Sequence, residues 1–184
     1  MSEIRVILRN TPNPNAKKFI TNRDLLENGK ITFKDASECD HVPVAGAIMN
    51  MTGVTQVHFF ENVLTVTQNG SADWEALGNE VEDCLRSLLP EHDANFKTGE
   101  AIRRDNLPEH MRKIEEILDI HIRPYLQGDG GDLEVVDFER DHKILTIRYE
   151  GACGTCPSAE FGTLNAIQGV MRDEVDNEIQ VVSI

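Results

Sequence analysis

The chain has 184 residues, of which 18 are Lys or Arg and 32 Asp or Glu; its formal net charge is −14, and 40% of it is hydrophobic. Such a balance suits a globular fold, and the acidic excess speaks against a phosphate backbone as partner, so no nucleic acid is expected. No run approaches eighteen apolar residues, so neither a membrane-spanning helix nor a membrane partner is expected. The opening MSEIRVILRN has neither an apolar signal core nor transit-peptide character, and the expected location is cytoplasmic.

Taken in chain order, Ile4, Val6 and Leu8 alternate as in a strand. Asn10-Thr11-Pro12-Asn13-Pro14-Asn15 is an ordered loop, because X-Pro steps disfavour helix and Asn supplies turn hydrogen bonds. Extended pieces are expected at 18–21 and 30–34. A short helix over 42–51 places Val44, Ala45, Ile48 and Met49 on one side and stops at Gly53. The runs 54–60 and 63–68 form a hairpin around Glu61-Asn62. Asp73 caps a helix whose apolar face carries Trp74, Leu77, Val81, Cys84, Leu85 and Leu88, and this module ends at Pro90.

Residues 91–106, EHDANFKTGEAIRRDN, lack a sustained apolar period and read as a flexible linker. Pro108 then opens a helix with Met111, Ile114, Ile117, Leu118, Ile122 and Tyr125 on one face. Gly128-Asp129-Gly130-Gly131-Asp132 turns the chain. Leu133, Val135 and, after Val136, Phe138 lie in a strand; Asp141-His142 turns into a second, 144–149. A helix carrying Phe161, Leu164, Ile167, Val170, Met171 and Val175 precedes a last strand over 179–184. The expected class is α+β: two small layered domains, 1–90 and 107–184, the latter in the order α-β-β-α-β with helices on one face of its sheet.

Of the four cysteines, Cys84 sits on an apolar helical stripe and reads as a small buried hydrophobe. Cys39, in Ser37-Glu38-Cys39-Asp40-His41, is only weak evidence for a metal. Cys153 and Cys156 form a C-x-x-C motif in Gly151-Ala152-Cys153-Gly154-Thr155-Cys156-Pro157-Ser158-Ala159, where a strand gives way to a helix. With Pro157 and Ser158 starting that helix, its free N–H groups favour thiolate, and hence metal ligation or nucleophilic reactivity. Three chemistries stay open. A thiol–disulfide oxidoreductase fits poorly, since the strand before the motif belongs to a hairpin and no proline follows Pro157. Zinc and iron–sulfur sites want four ligands, and this module offers two cysteines, with His142 and His121 poor candidates. A second copy of the chain would supply the rest, in an exposed site shared across a two-fold axis.

Ile122-Arg123-Pro124-Tyr125-Leu126, Gly128 to Asp132 and the cysteine motif with Thr163-Leu164 resemble, in order and spacing, the C-terminal domain of the NifU/Nfu iron–sulfur scaffold family. The first half resembles the Nfu N-terminal domain through Thr11 to Phe19, Gly53-Val54, Leu64 to Thr67 and Asp73-Trp74. The resemblance implies a carrier, not an enzyme. Cys153 and Cys156 of two subunits would hold a 4Fe-4S cluster between them, in a cluster-dependent homodimer. The cluster would come from an upstream scaffold or carrier and pass to apo iron–sulfur proteins. A 2Fe-2S form is the variant of this reading, zinc an artefact of purification, and a zinc-bridged structural dimer or a redox protein its rivals.

Overall fold

In the computed structural model, which describes residues 3–96, 106–155 and 162–184, the first half folds as an antiparallel sheet under two helices. Its elements are β1 (Val6–Asn10), β2 (Ala16–Thr21), β3 (Lys30–Phe33), α1 (Pro43–Met49), β4 (Val54–Phe60), β5 (Val63–Gln68) and α2 (Trp74–Leu88). The strand order is β1-β2-β5-β4-β3. Gly53, at φ +85°, and Glu61, at φ +49°, make the two tight reversals around β4. Asp73 caps α2 by accepting from the amides of Glu75 at 3.0 Å and Ala76 at 3.1 Å. Strand alternation then divides the sheet into two faces. Phe19, Phe33, Val57, Phe59, Leu64 and Val66 pack beneath Ala45 and Ile48 of α1 and Leu77, Val81 and Leu85 of α2. Each such buried side chain contributes about 1.5–3 kcal/mol. The opposite face is polar.

Packing of this layer continues beyond Pro90. The Glu27 amide donates to the Ala94 carbonyl at 2.9 Å, His92 bonds the Leu25 carbonyl at 2.7 Å, and Phe96 packs on the core. The expected linker falls mainly on 97–105, outside the described residues.

The second half is built from α3 (Glu109–His121), α4 (Arg123–Gly128), β6 (Gly131–Glu139), β7 (Ile144–Gly151), α5 (Leu164–Glu174) and β8 (Gln180–Ser183). Strand β7 is central, antiparallel to β6 and parallel to β8. A parallel neighbour needs a crossover, and α5 supplies it. Leu133, Val135, Leu145, Ile147 and Tyr149 pack against Ile114, Leu118 and Ile167 in a second core that shares no residue with the first.

Two details of the helix and strand patterns have physical causes. The spacing Leu133, Val135, Phe138 reflects a bulge: Val135 faces Ile147 and Asp137 faces Thr146, so Val136 is the extra residue and Phe138 returns to the core side. The single helix expected through Tyr125 is instead two. Ile122, at φ −118° and ψ −54°, breaks it, because Pro124 has no N–H to give and restricts the residue before it. Tyr125 is thereby carried off the apolar face and is 76% exposed. The order of the second half becomes α-α-β-β-α-β.

These placements separate two residues that share one apolar stripe in the sequence. Ile114→Ala should cost about 3 kcal/mol in urea denaturation, and Tyr125→Ala less than about 0.5 kcal/mol.

Candidate cysteine site at the seam between the modules

Antiparallel register brings two glycine-rich motifs together. Gly131 opens β6 and Gly151 closes β7, and the two are directly opposed. The Ala152 amide donates to the Gly130 carbonyl at 3.0 Å, and the chain then enters a tight 3-10 turn, Ala152–Thr155. Cys153 lies in that turn. A Cβ at Gly131 would stand 2.3 Å from the Cys153 sulfur, so only glycine there leaves the thiol its space. Gly151 has φ +59°, and a Cβ on it would lie 2.6 Å from the Gly130 carbonyl oxygen. Gly131 therefore leaves the sulfur its space, and Gly151 lets the end of β7 pass close to the Gly130–Gly131 backbone.

Beside this turn lies a buried charge network. Arg123 Nε donates to Asp132 Oδ1 at 3.2 Å, and its Nη atoms reach Glu115 and Asp119, each at 2.5 Å. Burial works against the guanidinium charge, but Glu115, Asp132 and Asp119 outweigh it and hold Arg123 firmly protonated. Asp132 is fully buried. Desolvation pushes its carboxyl up, and Lys30 and Arg123 outweigh that, holding it below the usual carboxylate value. The family-like motifs around Arg123 and Asp132 are thus one electrostatic unit that fixes the start of β6.

Lys30 comes from the other half of the chain. Its ammonium lies 3.1 Å from Asp132 and 2.7 Å from Glu150 and donates to the Leu133 carbonyl. Further donors cross the seam beside it. Gln56 Nε2 reaches the Gly151 carbonyl at 3.1 Å, Asn13 Nδ2 the Ala152 carbonyl at 2.9 Å, and Lys18 the Gly128 carbonyl. Gln56, His58, Thr65, Thr67 and Lys30 belong to the polar face of the first sheet. Together with Asn13 they are only 1–6% exposed. His58 Nδ1 is bonded to the Thr32 hydroxyl at 2.8 Å. His58 Nε2 and the Thr65 and Thr67 hydroxyls have no hydrogen-bond partner among the described residues. Burial pushes the His58 imidazole below its ordinary value in spite of Glu150 and Asp132 nearby.

Cys153 is 9% exposed, a departure from the exposed thiol that a shared site leads one to expect. The cause is visible: its own core on one side, with Tyr149 beside it, and β5 of the first sheet over its turn. Burial, with the Cys153 charge adding to it, pushes the Tyr149 phenol up. Cys156, Pro157, Ser158 and Phe161 lie outside the described residues. The next helix described, α5, begins at Leu164.

The remaining candidates stay apart from this turn. Cys39 is buried and Cys84 half-buried, and desolvation raises both thiols, which makes them poor thiolates. His142 is exposed and meets Glu139 at 3.1 Å; His121 is exposed. Among the described residues no group of three or more His, Cys, Asp or Glu side chains is arranged to hold a metal.

The family model described as "Scaffold protein Nfu/NifU N terminal" matches residues 6–92, and that described as "NifU-like domain" matches 114–182. The human protein "NFU1 iron-sulfur cluster scaffold homolog, mitochondrial" is 32% identical over 182 residues, covering 95% of this chain and 70% of its own. The chain belongs to the Nfu/NifU scaffold family. Another member, "NifU-like protein 4, mitochondrial" of Arabidopsis thaliana, is 29% identical over 170 residues, covering 89% of this chain; this chain spans 60% of its length. The solution structure of a NifU-like protein from Saccharomyces cerevisiae aligns with TM-score 0.43 at 26% identity, over 47% of this chain and 79% of that one.

Nfu/NifU membership directs attention to the cysteine turn; the seam residues Lys30, Asn13, Gln56 and His58 were not singled out from the sequence. Their signal was weak. Lys30, Gln56 and His58 sit at the polar positions of alternating strands, which ordinarily face water.

Two measurements probe the seam. Burial holds the folded His58 below its ordinary value, so below about pH 6.5 the unfolded state binds more protons there and stability drops as the pH drops. Asp132, held below its ordinary value, keeps its contribution through this window and loses it only as pH falls below the ordinary carboxylate range. Wild type should lose on the order of 1 kcal/mol between about pH 6.5 and 5, and His58→Gln should flatten that loss. Gly131→Ala should destabilise by about 1–3 kcal/mol in the same assay, since the Cys153 sulfur has to move.

Proposed function

We propose that Cys153 and Cys156 form half of a seat for an iron–sulfur cluster, that two chains complete it, and that the cluster is cargo. The observation that carries this reading is the incompleteness of the site. A thiol stands in a glycine-lined hollow at a strand end, and no third ligand is gathered near it among the described residues. Two C-x-x-C pairs related by a two-fold axis supply four thiolates, the number a cubane 4Fe-4S cluster takes. The donor set is soft sulfur, suited to iron–sulfur clusters. Cys39 and Cys84 take no part, their thiols being disfavoured as thiolates by burial.

The chain acts as a carrier and performs no catalysis of its own. An upstream scaffold delivers the cluster, and apo iron–sulfur proteins receive it. Transfer proceeds by thiolate exchange. Each acceptor thiolate forms a bond to iron as a scaffold thiolate leaves and takes up a proton, so cluster charge and oxidation state are conserved. Such chemistry needs reduced thiols, and we place the chain in a reducing compartment, the cytoplasm.

Anaerobic reconstitution followed by absorption spectroscopy, iron and sulfide analysis and mass determination tests this. The expected result is a dimer with about two iron and two sulfide per chain, one four-iron cluster between two chains. A two-iron spectrum would revise the cluster type alone. Cys153→Ala and Cys156→Ala should each lose most of the cluster. A Cys153→Ala chain that still bound a full cluster would refute the assignment.

A further inference from the structure

The polar face of the first sheet is buried although nothing in its composition requires burial. Lys30, Gln56, His58, Thr65 and Thr67 alternate with the core residues of β3, β4 and β5, as side chains facing water do. They are covered because the second module lies on them. What it presents is the surroundings of Cys153: the carbonyls of Gly151 and Ala152 accept from Gln56 and Asn13, and Gly154 lies against Gln56. Glu150, three residues before the thiol, pairs with Lys30.

We propose that the N-terminal sheet is an intramolecular cover for the cysteine turn, and that it lifts away before two chains share a cluster. The inference rests on the shared-cluster reading above. A cluster held between two chains needs both turns at the surface, facing each other, and here that face is already occupied by the chain's own sheet. Docking of the cover and pairing of two chains therefore exclude one another. The seam has the character of a reversible contact: it is made of hydrogen bonds and ion pairs, as interdomain contacts that open tend to be. Three of its buried polar atoms, His58 Nε2 and the Thr65 and Thr67 hydroxyls, lack partners among the described residues in the docked state. Water satisfies them once the sheet lifts, which offsets part of what undocking loses.

Lys30→Glu tests the cover, because it sets a third carboxylate against Asp132 and Glu150. The experiment uses the full-length, metal-free, reduced chain and follows maleimide labelling, resolved by site with fragmentation mass spectrometry. In Lys30→Glu, Cys153 should label at least about tenfold faster than in wild type, as expected when local opening becomes easier. Cys84 should keep its rate and Cys39, in the first core, should stay protected, while the radius of gyration from X-ray scattering rises. If Lys30→Glu unprotects Cys39 and so disturbs the fold, the double variant Lys18→Glu with Gln56→Ala carries the test, since both side chains lie outside the core. Unchanged Cys153 labelling in a variant that keeps Cys39 protected overturns the cover. Failure of the two readings is separable. Faster labelling in a protein that never reconstitutes a cluster keeps the cover and sinks the cargo. Normal reconstitution with unchanged labelling does the reverse.

Discussion

The carboxylate of Asp132 is held between two cations that come from opposite halves of the chain, Arg123 at 3.2 Å and Lys30 at 3.1 Å. Removing a charge of this kind from water costs several kcal/mol, and only close counter-charges and hydrogen bonds make it tolerable. Here one carboxylate draws both. Arg123 anchors the short helix that follows the break at Ile122, and Lys30 anchors the first sheet. Two carboxylates of the second half, Asp132 and Glu150, are thereby paired with a lysine of the first at the place where the modules meet. A buried pair of this sort adds little net stability relative to apolar packing, but it tolerates few alternative geometries. That is its use: it specifies how the turn that follows β7 and the turn that precedes β6 are presented.

The cysteine turn inherits its position from this arrangement by simple register. β6 and β7 pair from Gly131 opposite Gly151 to Glu139 opposite Ile144, so the residue after the last pair lands beside the residue before the first. Gly131 leaves the sulfur room that a side chain would fill, and Gly151 permits the close approach of the two strand ends. The bulge at Val136 keeps Phe138 in the core without disturbing the pairing at the Gly131 end.

Much of this was legible in advance. Hairpin β4–β5, the Asp73 cap and the core faces of α1 and α2 follow from periods of two and 3.6 and from residues with narrow conformational preferences. The family was legible in the motifs around Arg123, Asp132 and Cys153. Tyr125 was misplaced because helical periodicity was carried across Pro124, whose steric demands outrank it. The seam was illegible for a different reason. Local alternation records which face of a strand is polar, and says nothing about whether another module will cover that face. Gln56 and His58 look like solvent residues, and Lys30 looks like any strand-end lysine, until Asp132 is brought to it by contacts more than a hundred residues apart in the chain.

Phe96, packed on the first core, and Asn106, before α3, are joined by the nine residues 97–105. A connection so short sets a local concentration of one module around the other of order millimolar. A second chain at micromolar concentration meets that competitor at a disadvantage of about a thousandfold. With the proposed cover docked, self-association through the cysteine face is suppressed by mass action alone, without any dedicated repulsive surface. Only a bond that no single chain can make, such as iron to thiolates from two chains, shifts the balance. On the proposed shared-cluster reading, the number of chains in the particle reports whether it is loaded.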